Sequence, residues 1–246
     1  MNAALLIIGD EILSGRTQDK NLAYLAEWLN EAGIQLSEAR VIPDVEQTIV
    51  AAVNELRSTY DYVFTTGGIG PTHDDITSES MAKAFGVPLI VNPEAYGLLE
   101  DYYGGDEFTA ARQRMANTPE GAVLIDNSVS IAPGFQMENV FVMAGVPKIM
   151  QAMLEAVRPR LKAGRKVWSE TITILTPESR MAEALSRIQN GSEGVSIGSY
   201  PFFRKGIIGT QIVVRSADQA QIGEARDAVT RYCEAEEFEY SLDEGV

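Results

Sequence analysis

Residues 62–77, Tyr-Val-Phe-Thr-Thr-Gly-Gly-Ile-Gly-Pro-Thr-His-Asp-Asp-Ile-Thr, restrict what this chain can fold into more than any other stretch. The apolar, β-branched and aromatic start predicts a strand, and the polar cluster beginning at Thr77 opens a helical pattern. Between them lie Gly67, Gly68 and Gly70. Glycines permit positive φ and leave room for a ligand against main-chain N–H groups, and a following helix start adds potential favourable to an anion. The loop therefore predicts a phosphate site. Asp74 and Asp75 fit beside an anion only with a cation between them and the ligand, or with one of them handling a proton. A tight strand-to-helix turn whose aspartates cap the helix is the structural alternative.

The rest of the chain places this unit in a series. Apolar runs at 5–8, 39–42 and 62–66 read as strands. Leu22, Leu25, Ala26 and Leu29 form a helix face ended by Gly33, and Ile49, Val53 and Leu56 form the next. A helix around Met81, Ala82 and Phe85 is closed by Gly86, strands follow at 89–91, 123–125 and 140–143, and residues 148–161 read as a final helix. Such alternation predicts an α/β fold, a three-layer and mostly parallel sheet covered on both faces. At Ala163-Gly164-Arg165-Lys166 the pattern changes, and strand (171–175), helix (178–188), two strands (195–197, 207–214) and helix (217–233) follow. Two domains are expected, 1–165 and a smaller α+β domain over 166–246. Glu234, Glu236, Glu237, Glu239, Asp243 and Glu244 are read as a solvated, partly disordered acidic tail.

A net charge of −15 argues against non-specific binding to nucleic acid or anionic lipid, so a phosphate ligand must be captured locally. The start of the chain is too short in apolar residues and too acidic for a signal peptide, and no run is long enough to span a membrane; a cytoplasmic protein is expected. One histidine and one cysteine, His73 and Cys233, exclude a multi-His or cysteine-cluster metal site and leave an oxygen-ligated cation. His73 reads equally as a phosphate contact or a loop cap. Met137, Met143, Met150 and Met153 read as core filler, and Ser14 has no partners spaced for a nucleophilic triad.

Ligands of parallel sheets collect at the carboxyl ends of the strands. The loops expected there are 9–16, 67–75 and 144–147, with 132–135 as a fourth. They supply Glu11 and Ser14, the three glycines above, Gly145 and Pro147, and Gly134.

Together, Gly9-Asp10-Glu11-Ile12-Leu13-Ser14-Gly15 with Asn21, Ile42-Pro43-Asp44, the 65–77 segment and Ala144-Gly145-Val146-Pro147 resemble the MoaB/Mog-type molybdopterin-binding domain. The version at the N-terminus of competence/damage-inducible CinA proteins is the nearest form, and the segment after 165 also resembles the one adjoining that domain in CinA-like proteins. The resemblance implies that Asp44 and Asp75 carry chemistry and that Gly67, Gly68, Gly70 and Thr77 bind phosphate. Mog-type loops usually carry Arg where this chain has Asp74, which exchanges a cationic contact for a potential metal ligand. CinA-type domains are associated with metal-dependent pyrophosphatase activity on ADP-ribose, a similar domain occurs in FAD synthases, and Mog-type domains bind or adenylylate molybdopterin. The expectation is a pyrophosphatase in which Asp74 and Asp75 hold Mg²⁺, Mn²⁺ or Co²⁺ and Asp44 or Glu11 acts as base. Molybdopterin as ligand and a non-catalytic scaffold are the competing readings. A small phosphorylated nucleotide or pterin is the expected partner and a homo-oligomer the expected assembly. The deamidase domain of many CinA proteins is not in this sequence, and its activity is not expected.

Overall fold

The computed structural model describes residues 1–162, 164–204 and 206–243, Asp243 by its backbone only; Ala163 in the expected boundary and Glu244 in the acidic stretch lie outside the described residues. The chain divides into two units, Met1–Gly164 and Arg165–Val246.

In the first unit, β1 (Asn2–Ile8) leads through a single helical turn, α1 (Asp10–Leu13), into α2 (Asn21–Glu31), β2 (Gln35–Ile42), α3 (Glu46–Thr59), β3 (Tyr62–Thr66) and α4 (Thr77–Phe85). Then come β4 (Leu89–Val91), α5 (Pro93–Tyr103), α6 (Ala110–Gln113), β5 (Asn117–Pro119), β6 (Val123–Ile125), β7 (Gly134–Met137), β8 (Val140–Met143) and α7 (Pro147–Val157). The main sheet runs β2-β1-β3-β8-β7-β6. Its first four strands are parallel; β7 runs antiparallel to them, and β6, antiparallel to β7, forms the edge in their direction. The chain leaves β1 to one side for β2 and comes back to its other side for β3. That reversal opens a crevice at the carboxyl ends of β1 and β3.

Both faces of the central strands are buried, which is why they read as continuous apolar runs. Leu5, Ile7, Phe64 and Phe141 pack with Leu25, Trp28, Met150 and Leu154 of α2 and α7. Leu6, Ile8, Val63 and Val142 pack on the opposite face with Ile49, Val53, Leu56 and Met81 of α3 and α4. Phe64 and Phe141 stack at 5.2 Å between ring centroids. Each such side chain contributes about 1.5–3 kcal/mol by leaving water. The ends follow local chemistry: α4 stops at Gly86, left-handed at φ 66°, and the Asn92 side chain accepts the Glu94 and Ala95 N–H groups to start α5 behind Pro93.

Three local expectations are corrected. The strand at 89–91 does not join the main sheet but pairs antiparallel with β5 in a separate ribbon, its Leu89 and Val91 being exposed. Residues 132–135 are not a loop throughout, because Gly134 begins β7. The helix predicted for 148–161 ends at Val157, and Pro159 sits in a short 3₁₀ turn after it.

The second unit holds β9 (Trp168–Ile174), α8 (Glu178–Gly191), β10 (Val195–Arg204), β11 (Ile207–Ser216), α9 (Gln219–Ala235) and β12 (Tyr240–Asp243). Its antiparallel sheet runs β10-β11-β9-β12, with Ile172, Ile174, Ile212 and Val214 buried against Met181, Leu185, Ile222 and Val229 of the two helices. Tyr240 to Asp243 is thus an ordered strand instead of part of a loose tail. Glu237, at φ 54°, turns the chain after α9, and the apolar Phe238 and Tyr240 then anchor β12 among the carboxylates. Cys233 is buried in this core, and burial pushes its thiol up to about 11. Among the described residues no helix is long and apolar enough to cross a membrane.

Because the first unit holds both layers of its own core, a fragment of residues 1–164 is expected to unfold in one cooperative thermal transition with native-like far-UV circular dichroism. A fragment that stays molten would show that the two units share one core.

Candidate functional site

The crevice carries a cavity of about 490 Å³. Its walls come from four segments: Glu11 and Thr17 after β1, Gly67 to Pro71 with Asp75 after β3, Asn127 to Ala132 before β7, and Ala144 to Ile149 after β8. Met115 completes them.

Crowding at the strand ends forces the glycine loop into its path. Gly67 sits at φ 105°, and a Cβ there would lie 2.1 Å from the Ile8 carbonyl oxygen. Its N–H donates to the Met143 carbonyl at 3.1 Å, so one residue ties together the ends of β1, β3 and β8. Gly68 sits at φ 67°, and a Cβ there would meet the Thr77 hydroxyl at 2.2 Å. Thr77 is fully buried; its hydroxyl donates to the Gly67 carbonyl and its N–H to the Gly68 carbonyl, both at 3.0 Å. Both carbonyls of the turn are therefore held from beneath. Among the described residues the N–H groups of Gly68, Ile69 and Gly70 donate to no protein atom. Three such groups in succession next to an uncapped helix start, α7 behind Val146 and Pro147, form a setting for an anion.

Two carboxylates share this cavity with the donors, Glu11 and Asp75. Asp75 is fixed by its own loop: Oδ2 accepts the Thr72 N–H at 2.7 Å and the Thr72 hydroxyl at 2.5 Å. A Cβ on Gly70 would collide with that carboxylate at 2.7 Å. The third glycine is thus needed to let Asp75 fold back.

The other expected residues lie elsewhere. Asp44 is outside the cavity lining, and its Oδ2 accepts the Asp10 N–H at 2.9 Å, anchoring the start of α1 and with it the segment that carries Glu11. Burial pushes the Asp44 carboxyl above the usual range, and the charges of Asp10, Glu11 and Asp74 push it further, against the opposing Asp10 N–H. Asp74 is exposed and outside the lining, and the Thr72 hydroxyl, shared with Asp75, holds it below the usual range. Ser14 is exposed, and its hydroxyl donates to the Glu11 carbonyl at 3.3 Å. Gly134 is buried in β7, where a Cβ would lie 2.4 Å from the Val142 carbonyl; close strand packing accounts for it. Gly145 and Pro147 line the cavity, and His73 is exposed.

Sequence reasoning missed Asn127 and Ser130, which line the cavity ahead of the Ala132 that the expected 132–135 loop did include. Asn127, 5% exposed, donates to the Ser130 hydroxyl and the Ala132 carbonyl and accepts the Val129 and Ser130 N–H groups, closing a turn on itself. Ile131 is left-handed at φ 66°, a conformation that costs a β-branched residue about 1–3 kcal/mol. The Asn at the head of a Ser-rich stretch was the available signal.

Among the described residues no group of three or more His, Cys, Asp or Glu is arranged to hold a metal ion. Glu11 and Asp75 supply oxygen donors only. They fit a hard cation that draws its remaining ligands from phosphate oxygens and water, and they do not form a protein cage.

Two substitutions test this geometry. Gly67→Ala places a methyl group against the Ile8 carbonyl and is expected to cost roughly 2 kcal/mol or more, read as a lowered urea midpoint at unchanged m-value. For Asp44, a folded-state pKa above the unfolded value means that the protonated form is the one favoured by folding. Its stabilisation is present below the ordinary carboxylate range and lost as pH rises through the raised pKa. Asp44→Asn, which keeps an acceptor for Asp10, is therefore expected to have a higher Tm than the parent at pH 7, the difference closing near about pH 3.

Comparison with known proteins agrees with this architecture. Residues 4–163 match the family described as the probable molybdopterin binding domain, and residues 166–241 match the FAD synthase middle domain. A protein from Archaeoglobus fulgidus is 34% identical over 82% of this chain and 86% of its own length. A CinA-like protein from Desulfosudis oleivorans is 35% identical over 80% of this chain, which spans 51% of that relative. Among solved structures, the CinA protein of unknown function from Thermoplasma acidophilum superposes with a TM-score of 0.61 at 34% identity, covering 65% of this chain and 96% of that one. The chain belongs to the molybdopterin-binding domain family, in its CinA-like form joined to an FAD synthase middle domain.

Proposed function

We propose that the protein is a metal-dependent pyrophosphatase that cleaves ADP-ribose or an FAD-like dinucleotide between its two phosphates. The observation that carries this reading is the meeting of opposites in one cavity: three unpaired N–H groups on the glycine loop, suited to phosphate, beside the Glu11 and Asp75 carboxylates. Carboxylates repel a diphosphate unless a cation or a proton transfer is part of the design. The match of residues 166–241 to a domain of FAD synthase supports a dinucleotide over a simple phosphate ester.

In this reading Gly68, Ile69 and Gly70 hold one phosphate through their N–H groups. Asp75, braced by Thr72, and Glu11 share the cavity with the anhydride. Asp75 would hold a divalent ion together with substrate oxygens, and the ion would supply neutralisation of the phosphate charge. Glu11 takes the proton of the attacking water, whose oxygen bonds to phosphorus while the bridging P–O bond breaks. Asp44 keeps α1 and Glu11 in place. The products from ADP-ribose are AMP and ribose 5-phosphate.

A panel of ADP-ribose and FAD with Mg²⁺, Mn²⁺ or Co²⁺, followed by product chromatography, tests the reaction directly; chelation is expected to abolish it and metal to restore it. Asp75→Asn should lower kcat by roughly 10²-fold while Tm stays at the parent value, since the amide still accepts from Thr72. Turnover near the parent rate would remove Asp75 from the mechanism. The family match over residues 4–163 favours a second reading, binding or adenylylation of molybdopterin. Stabilisation by a molybdopterin precursor without metal, and no cleavage of either dinucleotide, would establish that reading instead.

A further inference from the structure

The short 3₁₀ turn Arg114–Ala116, which follows α6, divides three successive residues among three settings. At three residues per turn, neighbouring side chains leave such a helix about 120° apart. Ala116 is fully buried in a small apolar cluster with Ala95, Leu99 and Phe108, and its carbonyl accepts the Asn92 N–H at 2.9 Å. Met115 lines the large cavity. Arg114 is exposed and lines a second chamber, of about 140 Å³, together with Ser78, Glu79, Leu89 and Asn117. Ile69, Gly70 and Asp75 line both spaces, so this chamber adjoins the cavity at the end of the glycine loop.

The Arg114 guanidinium is unengaged although two carboxylates share its chamber. Asp75 accepts from Thr72, and Glu79 pairs with Lys83 at 3.5 Å. Among the described residues Arg114 forms no ion pair, side-chain hydrogen bond or ring contact. Its planar fork of N–H donors matches a phosphate bidentately. At roughly 30 Å³ for a water-sized group, the chamber admits one phosphate and excludes a nucleoside. With Glu79 paired to Lys83, Asp75 offsets Arg114, and a cation on Asp75 would leave the chamber positive. We propose that this chamber is the subsite for the second phosphate of a diphosphate whose first phosphate lies on the N–H groups of Gly68, Ile69 and Gly70, and that Arg114 selects diphosphates over monophosphates. An anhydride joins its two phosphates through one oxygen, and the border that Gly70 and Asp75 form between the two spaces is where that link lies. The inference rests on the reading of the glycine loop as a phosphate site.

Calorimetric titration of the full chain in Mg²⁺ with methylenediphosphonate, whose P–C–P link resists hydrolysis, and with inorganic phosphate tests it without requiring turnover. Arg114→Met, which keeps the length and loses the charge, should weaken methylenediphosphonate binding about 10-fold, the scale of a hydrogen bond to a charged group, and leave phosphate binding unchanged. Arg114→Lys should recover part of the loss. Arg187→Met, which removes the same charge from α8 in the second unit, should change neither ligand. Equal losses for both ligands in Arg114→Met, no loss for either, the same loss in Arg187→Met, or no diphosphonate binding by the parent overturns the subsite. If the parent cleaves ADP-ribose while Arg114→Met binds both probes as the parent does, the pyrophosphatase reading stands and the subsite fails. If the selectivity behaves as expected while the parent cleaves no dinucleotide, the subsite stands and the pyrophosphatase reading fails.

Discussion

The close pass of Gly67 over the end of β1 is the constraint on which the site depends. With its Cα against the Ile8 carbonyl and its N–H on the Met143 carbonyl, no side chain is tolerated, and the loop must leave the sheet edge with positive φ at two successive residues. Thr77 then clamps both turn carbonyls from below, so their geometry belongs to the core and not to solvent. A ligand that meets the N–H groups of this loop meets a surface already fixed by three strands, and little ordering remains to be done on binding.

The fold was legible where burial is two-sided. Leu5 to Ile8 and Tyr62 to Thr66 read as strands because helices cover both faces, and Gly33 and Gly86 marked helix ends through the conformation that each end requires. What stayed hidden was pairing. Nothing local at Leu89 distinguishes a strand of the sheet from one of a ribbon, and Gly134 looked like loop chemistry because the reason for it, the Val142 carbonyl, belongs to the neighbouring strand and not to the local sequence. Tyr240 was obscured by the carboxylates around it, although the alternation of Phe238, Tyr240 and Leu242 carries the strand pattern.

Within the site, sequence proximity misled in one case and helped in another. Asp74 and Asp75 are neighbours, yet Asp75 turns into the cavity while Asp74 remains at the surface, its charge felt by Asp44. Glu11 and Asp75, distant in the chain, line the same space. Adjacent residues of a loop leave the backbone in different directions, and a pair of carboxylates becomes a pair only through the fold. Asn21, by contrast, appears in the sequence as a member of a motif, and the structure gives it a physical task in holding the Gly145 carbonyl.

The strand β12 has a consequence for how the second unit is made. It covers the outer edge of β9, a row of backbone donors and acceptors that would otherwise template pairing with another chain. Its partner is the first strand of the unit, so the cover arrives only after the whole of β9 to α9 has been synthesised. Until then a nascent chain presents this edge of β9 uncovered and open to mispairing with its neighbours.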